Sequence, residues 1–216
     1  MLPARLRGFG PIGILAILVV LSGNFLFLPL SALLVLAWAS LSETPLGEIG
    51  LSRPKSWWKT AAIGIAAGAV FKVLMKALVM PLFGTAPQNA AFHFLVGNTS
   101  ALPFMLYAVL IGAGFGEEVL YRGFLFERLR KLFGSGRQAT VLIVLLTSAV
   151  FASVHYPEQG LASTEQAFIT GSVFALLYVV TGNLWLSMFT HAAFDVVAVA
   201  MIYWNVESWF AHLIFK

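Results

Sequence analysis

Five acidic or imidazole side chains lie within or at the end of apolar segments, where ionisable groups are costly. They are Glu117, Glu118, His155, His191 and Asp195. Carboxylates and imidazoles are the side chains that enzymes most often use to move protons to and from water. Ionisable residues inside membrane-spanning helices commonly mark functional sites. If these residues meet in one pocket, the pocket is suited to activating water.

The stretch GEEVLYR contains two adjacent acids that differ in their helical neighbours. Glu118 and Arg122 lie one turn apart, so they are predicted to pair. Glu117 points about 100° away and lacks that partner. We therefore interpret Glu117 as the candidate base, with Arg122 supporting the site. The alternative is a helix end at which both acids and the arginine face lipid headgroups.

Two further motifs each place a histidine one helical turn from a second residue of the motif. FASVH has Phe151 four residues before His155, and SMFTHAAFD has His191 four residues before Asp195. A histidine and an aspartate at this spacing could bind one metal ion or orient one water molecule. The alternatives are an interfacial His155 and an Asp195–His191 hydrogen bond that only joins helices.

Helix lengths predict that the three motifs lie at one depth. If the Glu117 helix continues to the Gly134-Ser135-Gly136 turn, Glu117 and His155 lie 17 and 19 residues from that turn. At the rise of an α-helix, both are about 26–28 Å from the tip of the hairpin. His191 lies eight residues after Asn183, hence about 12 Å from the nearest turn.

Two mechanisms of water activation fit this set of residues. In the first, one divalent, zinc-like metal ion binds a water molecule that attacks a carbonyl. Its predicted ligands are Glu117, His155, His191 and Asp195. In the second, Glu117 and His155 deprotonate water directly, and a group from the third helix stabilises the oxyanion. An ionised Asp195 cannot donate to an oxyanion, which favours the metal.

The composition indicates a membrane protein. The chain is 60% hydrophobic and 10% charged, whereas soluble domains average about 25% charged residues. Its net charge of +4 is explained by cytoplasmic loops, so no nucleic-acid partner is predicted. The absence of cysteine excludes disulfides, thiolate metal sites and a cysteine nucleophile. The predicted partners are the lipid bilayer and a peptide or membrane-protein substrate.

Apolar segments of membrane-spanning character recur along the chain. They are Phe9–Ser22, Asn24–Leu41, Trp58–Phe83, a segment from Ala101, Gln138–His155, Thr164–Thr181 and Leu184–Trp204. We therefore predict an all-α, polytopic transmembrane helical bundle of about seven helices (six to eight). Residues 1–45 are interpreted as an N-terminal transmembrane hairpin or anchor, and residues 46–216 as the core.

The distribution of Lys and Arg predicts the topology. The predicted loops at 43–59 and 127–137 contain most of the Lys and Arg residues that lie outside the apolar segments. The predicted loops at 84–100 and 157–164 contain none. By the positive-inside rule, the first pair is cytoplasmic and the second pair lies on the opposite side. The chain is thus predicted to be a multi-pass protein of a bacterial or archaeal cell membrane.

Together the motifs resemble a known protease family. EEVLYR at 117–122, FASVH at 151–155 and HAAFD at 191–195 are similar to the EExxxR, FxxxH and HxxxN/D motifs of the CPBP intramembrane proteases. This group includes the CAAX prenyl endopeptidases, the bacteriocin-processing and self-immunity enzymes, and the abortive infection proteins. The resemblance covers roughly residues 46 to 204.

The resemblance implies hydrolysis of peptide bonds inside the membrane, at a site reached from the cytoplasmic side. It implies that Glu117 activates water with His155, that His191 and Asp195 complete the site, and that Glu118, Arg122 and Phe151 support it. The expected substrates are membrane-associated or prenylated-like peptides and proteins. The alternatives are a non-catalytic membrane scaffold or immunity factor and a small proton-coupled transporter.

Overall fold

The structure is a computed structural model that describes residues 1–215. In this range it contains nine helices and no strand. The helices are α1 (Leu2–Arg7), α2 (Pro11–Ser22), α3 (Leu30–Leu41), α4 (Trp57–Leu82), α5 (Thr99–Phe133), α6 (Arg137–Ser153), α7 (Tyr156–Thr181), α8 (Leu184–Tyr203) and α9 (Glu207–Ala211). The prediction of an all-α polytopic bundle is confirmed.

The helices α4, α5, α7 and α8 are each long and apolar enough to cross a membrane. The shorter helices α2, α3 and α6 are also apolar, so an apolar helix occurs in each predicted segment. Large apolar side chains such as Ile63, Val70, Phe104 and Val180 project from the outside of the bundle. A contiguous apolar exterior of this kind fits lipid rather than water. The chain is an integral membrane protein.

The helix α5 continues through the two adjacent acids, as the depth argument required. Its backbone is wound in wide π-helical turns over Ala108–Leu125 and returns to α-helical turns over Phe126–Phe133. Gly134 then adopts a φ of +86° and ends the helix, because glycine reaches this region without steric cost. The predicted hairpin between α5 and α6 is therefore confirmed.

The predicted loop at 157–164 is wrong. Helix α7 begins at Tyr156 instead and is interrupted only at Gly160, where φ is +73°. A glycine reverses the backbone at one position, so the segment turns there without becoming an extended loop. His155 consequently lies in the short turn between α6 and α7.

Small residues hold α8 against α4 and α5. Gly64 and Gly68 on α4 face the backbone of α8, and a Cβ at Gly68 would clash with the carbonyl oxygen of Thr190. A Cβ at Gly114 on α5 would lie 2.7 Å from Cβ of Ala192. Such contacts let membrane helices approach closely. They set the position of the α8 segment that contains His191.

The two ends of the bundle differ in charge. At one end, Arg128 donates to the carbonyl of Arg7 (2.7 Å), and Arg7 donates to Thr44 (3.0 Å). The carboxylate of Glu48 lies 3.7 Å from both Arg7 and Lys131. We call this end, formed by residues 1–8, 43–59 and 127–137, the cationic end.

The opposite end, called the far end, is formed by residues 84–98, 154–164 and 204–212. Gly97 donates to the carbonyl of Tyr203 (3.0 Å), and Asn89 donates to Glu207 (3.1 Å). These three segments contain neither Lys nor Arg.

Candidate active site

Five of the predicted site residues line one cavity of about 530 Å³. They are Glu117, Phe151, His155, His191 and Asp195. The remaining two, Glu118 and Arg122, are buried behind them. The structure therefore brings together side chains from α5, α6, α8 and the α6–α7 turn, as the depth argument predicted.

Glu118 and Arg122 form the predicted ion pair. Nη1 of Arg122 donates to Oε1 of Glu118 over 2.8 Å, and both side chains are essentially inaccessible. Nη2 of Arg122 donates to the carbonyl of Gly171 on α7 (3.0 Å), and its guanidinium lies 4.5 Å from the ring centroid of Phe151. The pair thus joins α5 to α6 and α7.

The Glu118–Arg122 pair also fixes the orientation of His191. Oε1 of Glu118 lies 2.8 Å from Nδ1 of His191. The same oxygen accepts from Arg122, and a carboxylate oxygen in this role accepts from Nδ1 of His191, which carries the hydrogen. The ring stacks on Phe174 with centroids 4.5 Å apart. His191 is therefore held by two contacts, and its Nε2 is left to the cavity.

Two further carboxylates lie near this Nε2. Oδ2 of Asp195 is 3.4 Å away, and Oε2 of Glu117 is 3.8 Å away. Glu117 and Asp195 are partly accessible, because both border the cavity. Glu117 has no carboxylate–arginine contact of the kind that Glu118 makes. The two adjacent acids therefore occupy different environments, one in an internal ion pair and one at the cavity wall.

His155 is held in a similar way. Its Nδ1 lies 2.8 Å from the carbonyl oxygen of Phe151, and a carbonyl can only accept, so Nδ1 carries the hydrogen. In the neutral ring, Nε2 is then left with a lone pair. The ring of Phe151 packs at 4.8 Å from that of His155 and at 5.9 Å from that of His191. Phe151 thus sets the spacing between the two imidazoles.

The predicted metal ligands do not form a preorganised set. Within residues 1–215, no group of three or more His, Cys, Asp or Glu side chains is arranged to hold a metal ion. Nδ1 of each histidine is occupied by an oxygen acceptor. This leaves Nε2 of His155 and Nε2 of His191 as the ring atoms that could bind a metal ion, and an oxygen acceptor at Nδ1 is usual for histidines that do so.

The sequence interpretation missed residues that also line the cavity. Lys72 and Lys76 of α4 are both buried and border the same cavity as the acids. Glu207 pairs with Lys76 at 2.8 Å. An intramembrane lysine is a signal that could have placed Lys72 in the site. No comparable signal marked Glu207.

The cavity extends from the acids toward the far end. Its lining comes from the second half of α4, the first halves of α5 and α7, and the loop that includes Thr85 and Gln88. No residue of the cationic end borders it among those described. The site therefore communicates with the far end, whose described segments 84–98, 154–164 and 204–212 contain neither Lys nor Arg.

A helical membrane bundle that gathers carboxylates and imidazoles around an internal cavity is a suitable scaffold for intramembrane hydrolysis. Residues 99–197, just under half of the chain, match the family model described as Type II CAAX prenyl endopeptidase Rce1-like. All seven predicted site residues lie within the match. This segment is therefore similar to the Rce1-like CAAX endopeptidases, and the resemblance of the motifs to that family is confirmed over residues 99–197. Neither the curated proteins nor the solved structures gave a match.

Proposed function

We propose that this chain is an intramembrane endopeptidase that hydrolyses membrane-associated or prenylated-like peptides and proteins. The observation that carries the proposal is the shared cavity. It is bordered by the Glu117 carboxylate and by His155, whose Nδ1 is already committed to a carbonyl. A carboxylate and an imidazole with a free Nε2 beside one cavity supply the proton acceptors that water activation needs.

In the proposed reaction, Glu117 accepts a proton from water with the help of Nε2 of His155. The water oxygen forms a bond to the carbonyl carbon of the substrate, and the carbonyl oxygen becomes an oxyanion. The C–N bond then breaks as the proton held at Glu117 passes to the departing amine nitrogen. One water molecule is consumed, and the products are a carboxylic acid and an amine.

His191 is the proposed partner of the oxyanion. Three carboxylates, from Glu117, Glu118 and Asp195, lie within 3.8 Å of its ring nitrogens. These carboxylates would compensate a positive charge on the His191 ring. In its protonated form, His191 would donate a hydrogen bond from Nε2 to the oxyanion. Donors that are already oriented stabilise an oxyanion without reorganisation during the reaction. Asp195 would act through His191, since a carboxylate cannot itself donate.

The proposed mechanism uses no metal ion. The first mechanism required Glu117, His155, His191 and Asp195 to converge as zinc-like ligands, and the described residues contain no such group. We keep the metal-bound alternative as an outcome of the experiment that follows, because chelation distinguishes the two mechanisms directly.

Comparative proteomics tests the proposed function. Membranes containing either the wild type or Glu117→Ala are incubated with and without a divalent-metal chelator, and the released peptides are identified. We expect a set of peptides that require Glu117 and are still released by protein shown to be metal-free. Loss of release after chelation, with recovery on zinc addition, would support the metal mechanism. No Glu117-dependent peptide would favour the scaffold or the transporter.

We further propose that the substrate reaches the site from the non-cytoplasmic side. The resemblance implied access from the cytoplasm, but the cavity leads to the far end, whose three segments contain no Lys or Arg. By the positive-inside rule, the cationic end is cytoplasmic, so the far end faces the other side.

Labelling of single cysteines tests the direction of access. The chain has no native cysteine, so Gln88→Cys at the cavity mouth and Ser135→Cys in the α5–α6 turn can each be probed alone. Both positions are exposed. In intact cells, a membrane-impermeant maleimide is expected to label Gln88→Cys at once and Ser135→Cys only after permeabilisation. The reverse pattern would place the mouth in the cytoplasm.

A further inference from the structure

The cavity contains a buried ammonium group that the proposed reaction does not use. Lys72 is only 8% exposed, and it lines the cavity together with Glu117, His191 and Asp195. Among the residues that the structure describes, no carboxylate lies within 4.0 Å of its Nζ, and none accepts a hydrogen bond from it. Its Nζ lies over the ring of Phe194, 4.7 Å from the ring centroid.

Lys76, one turn further along α4, provides an internal comparison. It has the same exposure of 8%, but its Nζ donates to Oε1 of Glu207 over 2.8 Å. Glu207 also accepts from the backbone of Asn89. A buried charge is costly unless it is paired. The fold therefore supplies a partner for Lys76 and supplies none at bonding distance for Lys72.

The surroundings of Lys72 separate it from the proposed base. Its Nζ lies over the ring of Phe194, the residue before Asp195 in α8, and Lys76 follows one turn later in α4. Because α4 runs toward the far end, Lys76 and its partner Glu207 lie beyond Lys72 in the direction of the cavity mouth. An anion bound here would lie beside the reacting carbonyl and would not coincide with it.

We propose that Lys72 binds a carboxylate of the substrate. The carboxylate could be the C-terminal group of a peptide or the side chain of an acidic residue. Its charge would pair with the ammonium group, while the neighbouring apolar portion of the peptide occupies the rest of the cavity. This inference rests on the proposed function and adds to it a residue that determines specificity.

The proposal has a consequence for the position of cleavage. A carboxylate fixed at Lys72 sets the distance along the peptide to the bond that lies beside Glu117. Binding at one end in this way selects a bond by its spacing from the anion rather than by the side chains on either side. The products are thus expected to share a constant spacing between the anion and the cleaved bond.

Three internally quenched peptides test the proposal. They share one apolar sequence and an N-terminal lauroyl chain. The first has a free C-terminal carboxylate, the second a C-terminal amide, and the third an amide with an aspartate near the C terminus. Cleavage is measured with the wild type, and binding is measured by fluorescence with Glu117→Gln.

We expect the preferred carboxylate peptide to have a KM and a Kd about 10- to 100-fold lower than those of the plain amide. Lys72→Met should remove this difference, chiefly through KM and with little change in kcat, and Lys72→Arg should retain part of it. Lys59→Met is the matched control, because Lys59 lies on the same helix and is exposed. The first and third peptides distinguish a C-terminal from a side-chain carboxylate.

Two results would overturn the proposal. One is a wild type that shows the same KM and kcat for all three peptides. This result can be interpreted without any variant. The other is a Lys72→Met protein in which kcat falls equally for all peptides, which would place Lys72 at the oxyanion. Failure of the proposed function gives a different pattern. In that case no peptide is cleaved, but Glu117→Gln still binds the carboxylate peptide more tightly than the plain amide. The Glu117→Gln/Lys72→Met double variant still lacks this preference.

Discussion

Glu117→Gln is expected to lower kcat/KM for peptide cleavage by about 1,000-fold, within the range of general-base catalysis. The glutamine keeps the size of the side chain and its place at the cavity wall, but it cannot accept a proton at neutral pH. His155→Gln should also cause a large loss, because Nε2 is the only ring nitrogen not committed to the Phe151 carbonyl. Initial rates with purified protein and a cleavable peptide measure both effects.

The matched control for Glu117 is Glu165→Gln. Glu165 is also a glutamate on a long helix, but it does not border the cavity. The Glu165→Gln variant should retain wild-type kinetics. The Glu117→Gln and His155→Gln variants should both unfold at temperatures close to that of the wild type. Full cleavage by a folded Glu117→Gln protein would contradict its assignment as the base.

Glu118→Ala is expected to destabilise the bundle by about 3–5 kcal/mol, as when one partner of a buried ion pair is removed. Arg122 would keep its charge in the interior without its partner, and His191 would lose the acceptor of its Nδ1 hydrogen. Thermal unfolding in a mild detergent measures the loss. Activity should fall as well, since the His191 ring would no longer be oriented.

A double-mutant cycle separates this pair from a general loss of packing. Glu118→Gln combined with Arg122→Met removes both charges, so its cost should be smaller than the sum of the single changes, with a coupling of about 0.5–3 kcal/mol. Glu48→Gln is the control, because its ion pairs at 3.7 Å are exposed and such pairs contribute little. Strictly additive costs would mean that the two side chains do not interact in the membrane.

The sequence predicted those parts of the site that depend on local spacing. The pairing of Glu118 with Arg122 follows from their separation by one turn. The common level of Glu117 and His155 follows from counting residues on either side of the Gly134 turn. The residue counts place these groups correctly although α5 is π-helical over Ala108–Leu125, because both the pairing and the common level need only a continuous helix that ends at Gly134. The family motifs all lie within the segment that matches the family model, residues 99–197, which is shorter than the predicted extent of roughly 46 to 204.

The remaining features depend on contacts between distant parts of the chain. The Lys76–Glu207 pair joins residues 131 positions apart, and the Glu118–His191 contact joins residues 73 positions apart. The spacing of residues within one helix says nothing about which face meets another helix. The end at which the cavity opens likewise depends on how the loops of the far end pack, and no sequence motif predicts that packing. The segment 157–164 is predicted as a loop because it is polar and contains a glycine. A helix that is interrupted at one glycine has the same composition, so the sequence does not distinguish the two.

The glycine contacts of α8 affect how mutational scans of this protein should be interpreted. A methyl group at Gly68 or Gly114 would push α8 away from its neighbours. The displacement would carry His191 away from Glu118 and so misalign the site without any contact with the substrate. A scan scored by activity alone would rank these glycines with the acids and the histidines. Only a parallel measurement of folding or of helix proximity would separate residues that perform the chemistry from those that hold its scaffold in place.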